Sequence, residues 1–234
     1  PLTATVKPGE PFPQECVDAF AAARDAINSL TAERAERPGD DLISTLVLAR
    51  DEGDKLSADE LFDVVFTICV AALSGTARTM GRTMYGLFRQ PGAVRRMHDN
   101  QALVPQAIAE AQRMYRQGYF MFPRMAMYDT EIGGTPIPAG MVVRVSLHAA
   151  SYDPTEFPNP TTFDIERNPV DWMSYGLGEH NCLGVRLARM VLRIAFTKFI
   201  QRFPGVRLTD PDFVPQYGGA LGELRMDTLP LTLR

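Results

Sequence analysis

The chain has 234 residues, 45% of them hydrophobic and 22% charged, and a formal net charge of −4. This length can form one large domain or two small ones with a sizeable core, and the mild acidity argues against nucleic acid as the main partner. The three cysteines, Cys16, Cys69 and Cys182, are widely spaced and odd in number, which excludes a disulfide framework and suits a reducing compartment.

The sequence shows no sign of a secretory leader or a membrane anchor. Its first residues lack a charged start followed by an apolar core. The most apolar run, residues 61–75, is too short and too polar at its ends for a membrane span. We therefore expect a cytoplasmic protein with no membrane partner. Because residue 1 is proline and not methionine, we expect the chain to start inside a longer natural protein.

Helical signals fill the first half of the chain. A first helix is predicted over residues 13–37, since proline suits its first turn and a Pro-Gly pair stops it. Asp40 or Asp41 is expected to cap a second helix, DLISTLVLAR. Ser57 and Glu60 have the spacing of a capping box, which opens a third helix.

The third helix is predicted to be unusually long, because no helix breaker occurs before Pro91. It exceeds thirty residues, far above the average helix, so we expect it to cross the whole molecule. A short helix from Pro91 and another over residues 103–117 are predicted to follow it.

The second half of the chain mixes short strands, coil and one more helix. Residues 124–150 alternate apolar and polar side chains around two glycine-containing turns, which predicts strands joined by tight turns. Residues 153–169 are a proline-rich irregular coil, and a helix is predicted over residues 182–203 before short closing strands. The predicted fold class is α+β, mainly helical with a minor sheet.

Residues 175–184, YGLGEHNCLG, place a lone cysteine in a glycine-rich loop. The glycines let the backbone turn tightly and let a flat group approach closely. Cys182 falls at the predicted start of a helix, where unpaired N–H groups and the positive end of the helix dipole favour a thiolate. Such a thiolate can be a nucleophile, a zinc ligand or a haem ligand.

These three chemical roles make different demands on the surroundings. Zinc needs several Cys or His ligands, and only His180 is near Cys182 in the sequence. A nucleophile needs a base, for which His180 or His148 could serve. Haem needs one axial thiolate.

The loop resembles the haem-binding loop of the cytochromes P-450, the haem-thiolate monooxygenases. Their pattern is aromatic-Gly-x-Gly-x-His-x-Cys-x-Gly, most often with phenylalanine at the aromatic position. The positions of this chain that match are Tyr175, Gly176, Gly178, His180, Cys182 and Gly184. The resemblance implies haem b, iron protoporphyrin IX, as the cofactor and Cys182 as its axial thiolate ligand.

Four more charged residues fit the resemblance in the family's order. Glu110 and Arg113 match the Glu-x-x-Arg of the family's K helix, and Arg167 matches the arginine that completes this buried ion-pair triad. Buried charges are tolerable only when they are paired, so the triad is expected to be structural. The alternative is that Glu110 and Arg113 form a surface pair, which would contribute roughly a few tenths of a kcal/mol to stability. Arg124 matches an arginine that binds a haem propionate, and the resemblance places His180 beside a propionate. The alternative for Arg124 is a solvated strand residue.

The long helix departs from the family pattern, Ala-Gly-x-Asp/Glu-Thr-Thr, in which an acid and an alcohol over the haem relay protons to dioxygen. The matching residues here are Ala71, Ala72, Leu73, Ser74, Gly75 and Thr76. The resemblance implies that Ala71 and Ala72 are cofactor-binding positions, although the family pattern has glycine at the second of them. Ser74 replaces the acid, Gly75 replaces the first threonine, and Thr76 keeps a hydroxyl one position later, about 100° further around a helix. Two interpretations stay open. In the first, the segment only lines a core. In the second, Ser74 or Thr76 orders a water near the bound dioxygen, and dioxygen activation is impaired, assisted by the substrate or replaced by peroxide-driven chemistry.

Three basic residues follow the cysteine loop. Three arginines, Arg186, Arg189 and Arg193, lie near the face that docks an acidic ferredoxin-like electron donor in relatives. The alternative, that they simply form a solvated helix face, explains them equally well.

Trp172 stands before the loop, where many bacterial relatives have a histidine near a propionate, and its indole could take the place of that histidine.

The resemblance covers residues 15–234 and identifies the chain, over residues 1–234, as the C-terminal portion of a single P-450 domain of the bacterial soluble type. This portion holds the long central helix, the K-type helix, small sheets, the cysteine loop and the helix after it, and the earlier half is expected as a missing partner segment. The implied reaction is oxidation, usually hydroxylation, of a small apolar substrate with O2 and electrons from a redoxin. Two alternatives stay open: a degenerate relative that helps a partner enzyme such as a glycosyltransferase, and a haem protein that uses peroxide or performs a rearrangement.

Overall fold

The computed structural model describes residues 9–52, 56–115, 123–167, 173–218 and 225–233. The chain divides into two units, Pro1–Thr76 and Ala77–Arg234. Trp172 and the last two residues of the helix predicted over residues 103–117 lie outside the described part of the chain.

The described part of the first unit contains three α-helices, which a further helical turn follows. They are α1 (Gln14–Glu36), α2 (Leu42–Glu52) and α3 (Ala58–Val70). Asp41 caps α2, because its Oδ1 accepts a hydrogen bond from the Ser44 backbone N–H at 2.8 Å. The predicted capping box of α3 is also confirmed, since the backbone N–H groups and side-chain oxygens of Ser57 and Glu60 bond reciprocally at 3.2 and 2.7 Å.

Apolar side chains hold α1, α2 and α3 together. Val47 and Leu61 lie in one buried cluster, which joins α2 to α3. The rings of Phe20, Phe62 and Phe66 contact one another at centroid distances of 5.1 to 5.6 Å, which joins α1 to α3. Burial of these residues supplies the hydrophobic stabilisation that isolated helices lack.

Asp41 is expected to titrate at unusually low pH. Its carboxylate accepts the Ser44 N–H bond and pairs with Arg34 at 2.6 Å, and these bonds lower the pKa of Asp41 from 3.8 to about 2. A carboxyl with a depressed folded-state pKa stabilises the fold above its unfolded pKa and loses that contribution as the pH falls through the folded value. NMR titration of the Asp41 carboxyl should therefore give a midpoint of about 2, raised in the Arg34→Gln variant. A native midpoint at the ordinary 3.8 would contradict this assignment.

Helical structure continues from Ala58 to Phe88 over 31 residues, which confirms the long predicted helix. It is not uniform, however. After α3 comes a single π-helical turn, Ala71–Gly75, and then α4 (Thr76–Phe88). Sequence analysis did not predict the π-turn, because hydrophobic periodicity is averaged over a longer window than one turn.

By length and apolar content alone, the helix Ala58–Phe88 could cross a membrane. The core helices of water-soluble proteins meet the same criteria. Asp63 and Arg78 leave 14 uncharged residues between them, which is fewer than the ~20 that a span requires. We therefore keep the prediction that this helix belongs to a globular fold.

Helices of the second unit surround an apolar core. Beyond α4 they are α5 (Pro91–Asp99), α6 (Val104–Met114), the short α7 (Leu147–Ala150) and α8 (Val185–Arg202). Buried residues of this core include Phe88, Met97, Ala111, Leu192 and Phe196. Because α6 contacts α8, the predicted K-type helix lies beside the helix that follows the cysteine loop.

The described strands form four two-stranded antiparallel sheets. The pairs are β1 (Arg124–Met125) with β4 (Val142–Val143), β2 (Thr130–Ile132) with β3 (Thr135–Ile137), β5 (Arg207–Leu208) with β8 (Leu231–Thr232), and β6 (Tyr217–Gly218) with β7 (Arg225–Met226). Gly133 and Gly134 have φ of 57° and 78°, as the two-residue turn between β2 and β3 requires. The predicted fold class, α+β and mainly helical, is confirmed.

Two boundaries differ from the prediction. Residues 147–150, predicted within a strand segment, form α7, because the Ser146 hydroxyl accepts a hydrogen bond from the Ala149 N–H at 3.1 Å and caps a helical turn. The helix predicted to start at Cys182 starts at Val185. The cysteine therefore belongs to the loop and not to the helix.

Candidate functional site

The cysteine loop is a succession of tight turns. It contains two 3₁₀ turns, Met173–Tyr175 and Gly178–His180. Gly176 and Gly178 have φ of 77° and 71°, a left-handed conformation that glycine adopts without strain. The backbone itself therefore requires glycine at two positions of the motif.

Hydrogen bonds to backbone carbonyls close the loop, in which the cysteine is exposed. The Cys182 N–H donates to the Tyr175 carbonyl at 2.8 Å, and Asn181 Nδ2 donates to the Gly176 carbonyl at 3.1 Å. Cys182 is a free, exposed cysteine. α8 begins only at Val185, so Cys182 lies in the loop before the helix and not at its first residue.

Tyr175 ties the cysteine loop to α6. Gln112 Nε2 donates a hydrogen bond to the Tyr175 hydroxyl at 3.1 Å, and the Arg189 guanidinium lies 5.5 Å from the ring centroid. Burial raises the pKa of the Tyr175 phenol above its usual value. Sequence reasoning missed Gln112. The sequence did carry a signal for such a residue, a tyrosine at the motif position where phenylalanine is commonest. A half-buried tyrosine hydroxyl needs a hydrogen-bond partner.

We expect the Tyr175→Phe variant to unfold with about 1 kcal/mol less free energy, because it leaves the buried Gln112 amide without its acceptor. Gln112→Leu is the matched partner variant, and the double variant completes a thermodynamic cycle. Urea unfolding of the four proteins measures the coupling. Strictly additive effects would show that this hydrogen bond contributes nothing to stability.

Two glycines of the loop border open space. A Cβ added to Gly178 or Gly184 meets no heavy atom within 4 Å, so both glycines border open space. Leu177 and Leu183 are 61% and 88% exposed, which gives the loop an apolar edge. A single soft sulfur ligand in open, partly apolar surroundings suits haem with an axial thiolate.

The other chemical roles for Cys182 find less support. No three His, Cys, Asp or Glu side chains gather as a metal site within the described ranges, so nothing there resembles a zinc site. His148 lies in α7, where its ring centroid is 5.2 Å from that of Tyr152.

The two residues predicted at the haem propionates are exposed. Arg124 begins β1 and pairs across the sheet with Val143, while His180 ends the second 3₁₀ turn of the loop. Both side chains can donate hydrogen bonds to a carboxylate. Their assignment to propionates stays a prediction.

The residues of the predicted triad lie together, with Glu110 and Arg113 buried and Arg167 partly exposed. Glu110 and Arg113 are both 0% exposed, and Arg113 Nε and Nη2 donate to the two Glu110 oxygens at 2.7 and 2.8 Å. Arg167 Nε donates to Glu110 Oε1 at 3.2 Å, and the Asp164 backbone N–H donates to the same oxygen at 3.2 Å. The alternative of an exposed surface pair is therefore wrong.

Further bonds satisfy the arginines of the triad. Arg113 Nη1 donates to the Ser151 carbonyl at 2.6 Å, and its guanidinium lies 5.1 Å from the Phe157 ring centroid. Arg167 Nη1 donates to the Pro158 carbonyl at 2.8 Å. Buried charges need such complete pairing. The triad thus fastens α6 to the irregular segment that precedes the cysteine loop.

The residues predicted over the cofactor lie in the π-turn and just after it. Ser74 Oγ donates a hydrogen bond to the Val70 carbonyl at 2.7 Å, a back-bond that is known to bend helices. The Thr76 N–H bonds to the carbonyls of Ala72 and Leu73. The expected 100° offset of Thr76 assumed uninterrupted α-helical spacing, and the π-turn interrupts that spacing just before Thr76.

The chain resembles known proteins over nearly its whole length. The family model for cytochrome P450 matches residues 10–216, which include the cysteine loop. The mycinamicin IV hydroxylase/epoxidase of Micromonospora griseorubida is 36% identical over 200 residues, 85% of this chain and 50% of that protein. The nocardicin C N-oxygenase of Nocardia uniformis subsp. tsuyamanensis is 36% identical over 210 residues, 89% of this chain and 52% of that protein.

Solved structures agree with these sequence relatives. The crystal structure of cytochrome P450 MoxA from Nonomuraea recticatena superposes with a TM-score of 0.87 at 30% identity, covering 97% of this chain and 56% of that one. The chain therefore spans about half the length of the relatives it matches. Matches in sequence and in fold coincide, and the chain belongs to the cytochrome P450 family.

Proposed function

We propose that this chain carries the haem-binding centre of a P450 monooxygenase that oxidises, in most cases by hydroxylation, a small and largely apolar organic molecule. The observation that carries the proposal is the exposed Cys182 thiol on glycine turns beside open space. Haem b, held through this thiolate, would supply dioxygen activation and oxygen insertion, with two electrons from a donor protein and two protons. The names of the two relatives, a hydroxylase/epoxidase and an N-oxygenase, support this reaction class.

The loop and its neighbours bind and orient the cofactor in this proposal. The N–H bond from Cys182 to the Tyr175 carbonyl fixes the direction of the sulfur ligand. Gln112 holds the Tyr175 ring and thereby keeps the loop against α6. Arg124 and His180 donate hydrogen bonds to the propionates, and the open side of Gly178 and Gly184 accommodates the flat ring.

Ser74 and Thr76 take different roles in the proposed site. Ser74 Oγ donates its only proton to the Val70 carbonyl, so it stabilises the π-turn and does not serve as a proton donor. Thr76 Oγ1 is then the hydroxyl that orders water and passes a proton. Ala71 and Ala72 are small and exposed, and the family resemblance is what assigns them to the cofactor.

The absorption spectrum of the reduced protein with carbon monoxide tests the proposal. We expect a red-shifted band, the signature of thiolate ligation. Failure to bind haem would overturn the proposal in favour of the degenerate helper. A haem spectrum without the red shift would overturn Cys182 as the ligand.

A second candidate function, peroxide-driven oxidation, is favoured by the loss of the acid–alcohol pair at Ser74 and Gly75. We expect peroxide to drive more product formation than O2 with an electron donor. Thr76→Val should lower donor-driven turnover by roughly 100-fold, the usual effect of losing a positioned proton donor, and should change peroxide-driven turnover less. Product formed per electron pair consumed is the measurement. Efficient O2 use that survives both Thr76→Val and Ser74→Ala would contradict this reading.

We also propose a ferredoxin-type electron donor. Arg186 and Arg193 are exposed on α8, while Arg189 lies against the Tyr175 ring. Exposed charges of this kind steer the encounter with an acidic partner, and this steering weakens as the salt concentration rises.

The bacterial origin of the relatives supports a cytoplasmic location.

A further inference from the structure

Four tyrosines from different elements meet at the last turn of α6. Tyr115 directly follows α6, and Tyr85 of α4 lies beside it, with ring centroids 5.4 Å apart and ring planes at 84°. The Tyr152 hydroxyl donates a hydrogen bond at 2.9 Å to the carbonyl of the last residue of α6. The Tyr175 hydroxyl accepts a hydrogen bond from Gln112 of α6 at 3.1 Å.

Close packing fixes the contact between the Tyr85 and Tyr115 rings. A Cβ added to Gly86 would lie 2.4 Å from the Tyr115 ring, so this ring packs directly on the backbone of α4. Tyr85 is 7% exposed, and its hydroxyl accepts a hydrogen bond from Arg89 and donates one to the Phe213 carbonyl at 3.3 Å. Both rings are therefore held in place by their surroundings.

Tyr175 connects these rings to the cysteine loop. The Cys182 N–H donates a hydrogen bond to the Tyr175 carbonyl at 2.8 Å, so this tyrosine is bonded to the residue that presents the thiol. Gln112, the partner of the Tyr175 hydroxyl, lies three residues before Tyr115, and residues three apart share one face of a helix. The connection from the cysteine loop to Tyr115 thus runs along α6.

Tyr217 of β6 connects the same rings to solvent. Arg82 of α4 lies three residues before Tyr85, and its guanidinium is 4.4 Å from the ring centroid of Tyr217, which is 38% exposed. Burial raises the pKa of the Tyr115 phenol, and Tyr217 is among the neighbouring phenols that act on it. We call this set of residues the tyrosine cluster: Tyr85, Tyr115, Tyr152, Tyr175 and Tyr217.

The hydroxyl groups give the tyrosine cluster a chemistry that packing alone does not require. Phenols give up one electron far more readily than the ring of phenylalanine, and aromatic rings at short separations pass electrons from one to the next. The proposed site has a use for such electrons, because Ser74 and Gly75 stand where the family has its acid–alcohol pair. Oxidant that is not used on a substrate otherwise damages the cofactor and the protein.

We propose that the tyrosine cluster supplies electrons to the haem centre when hydrogen peroxide reacts there and no substrate takes up the oxygen. This inference rests on the proposed function. Each oxidised phenol loses one electron, which passes through Tyr175 toward the cofactor, and one proton, which passes to water at the exposed Tyr217. Two phenols and one hydrogen peroxide thereby give two phenoxyl radicals and two molecules of water.

Electron paramagnetic resonance of rapidly frozen samples tests this role. The haem-loaded protein is mixed with hydrogen peroxide in the absence of substrate. We expect a phenoxyl radical, whose signal narrows when the protein carries ring-deuterated tyrosine. The Tyr85→Phe/Tyr115→Phe/Tyr175→Phe variant keeps every ring and should lose this signal. Its haem absorbance should also bleach faster in peroxide than that of the native protein.

Two further variants make the comparison specific. Tyr115→Phe alone keeps the ring on Gly86, and it should lower the radical yield even if the triple variant does not fold. Tyr128→Phe is the matched control, because Tyr128 is 80% exposed and lies outside the tyrosine cluster. This control should keep the native radical signal and the native rate of bleaching.

The carbon monoxide spectrum of the same preparation separates this inference from the proposed function. A protein that shows the red-shifted band but forms no phenoxyl radical overturns the electron-donor role and leaves the proposed oxidation standing. A triple variant with the native radical yield and only a lower free energy of unfolding would make the cluster structural. Equal losses in Tyr128→Phe and the triple variant would also contradict it. Failure to bind haem overturns the proposed function, and this inference with it.

Discussion

Replacing Cys182 with serine is expected to abolish the red-shifted carbonyl band and to reduce oxidation of any substrate by at least about 100-fold. Serine keeps the size of the side chain and the backbone bonds of the loop, since the Cys182 N–H bond to the Tyr175 carbonyl does not involve the sulfur. A neutral hydroxyl is a poor substitute for a soft anionic ligand. The change therefore isolates ligand chemistry from loop structure.

Cys69→Ser is the matched control for this substitution. Cys69 is also a free, exposed cysteine, but it lies on α3 and not on a glycine loop. We expect Cys69→Ser to keep the native spectrum and turnover. A Cys182→Ser protein that keeps both the red-shifted band and catalysis would remove the basis of the proposed function.

Glu110→Gln is expected to lower the free energy of unfolding by about 3–5 kcal/mol, the cost of breaking a buried ion pair. Glu110 accepts bonds from Arg113, Arg167 and the Asp164 N–H while 0% exposed. An amide in its place removes the only carboxylate of the triad and turns one acceptor into a donor that faces two arginines. Denaturant unfolding measures the loss.

Glu166→Gln makes the same chemical change at an exposed ion pair. Glu166 Oε1 lies 2.6 Å from Arg96 Nη2, and the two side chains are 64% and 50% exposed. Exposed pairs contribute about 0–1 kcal/mol, so this control should be close to native. Arg167→Lys, which keeps the charge and loses the fork geometry, should fall between the two and gives a measurable protein if Glu110→Gln does not fold. Equal effects of the two glutamate substitutions would contradict the buried role of Glu110.

Local features of the chain could be predicted because neighbouring residues determine them. The capping box of Ser57 and Glu60 and the Asp41 cap depend on residues three positions apart. The turn between β2 and β3 depends on the backbone freedom of two adjacent glycines. The prediction failed at residues 147–150 because an alternating pattern over a few residues does not exclude a single capped helical turn.

The parts of the site whose residues are close together in the sequence could be predicted. Hydrogen bonds between residues of distant elements could not. The motif around Cys182 occupies ten consecutive residues, so its resemblance to a haem loop is visible without a structure. Gln112 lies 63 residues before Tyr175, and the two meet only because α6 lies beside α8. The π-turn at Ala71–Gly75 arises from hydrogen-bond geometry, which residue periodicity does not encode.

The sequence by itself determined the family resemblance, the mainly helical α+β fold and the cysteine that presents a thiol, because each depends on residue type at short spacing. Only the tertiary structure decided that Glu110 and Arg113 are fully buried and that the loop is anchored through Tyr175. Burial depends on which elements meet in space, and that is a property of the packed chain and not of any short stretch within it.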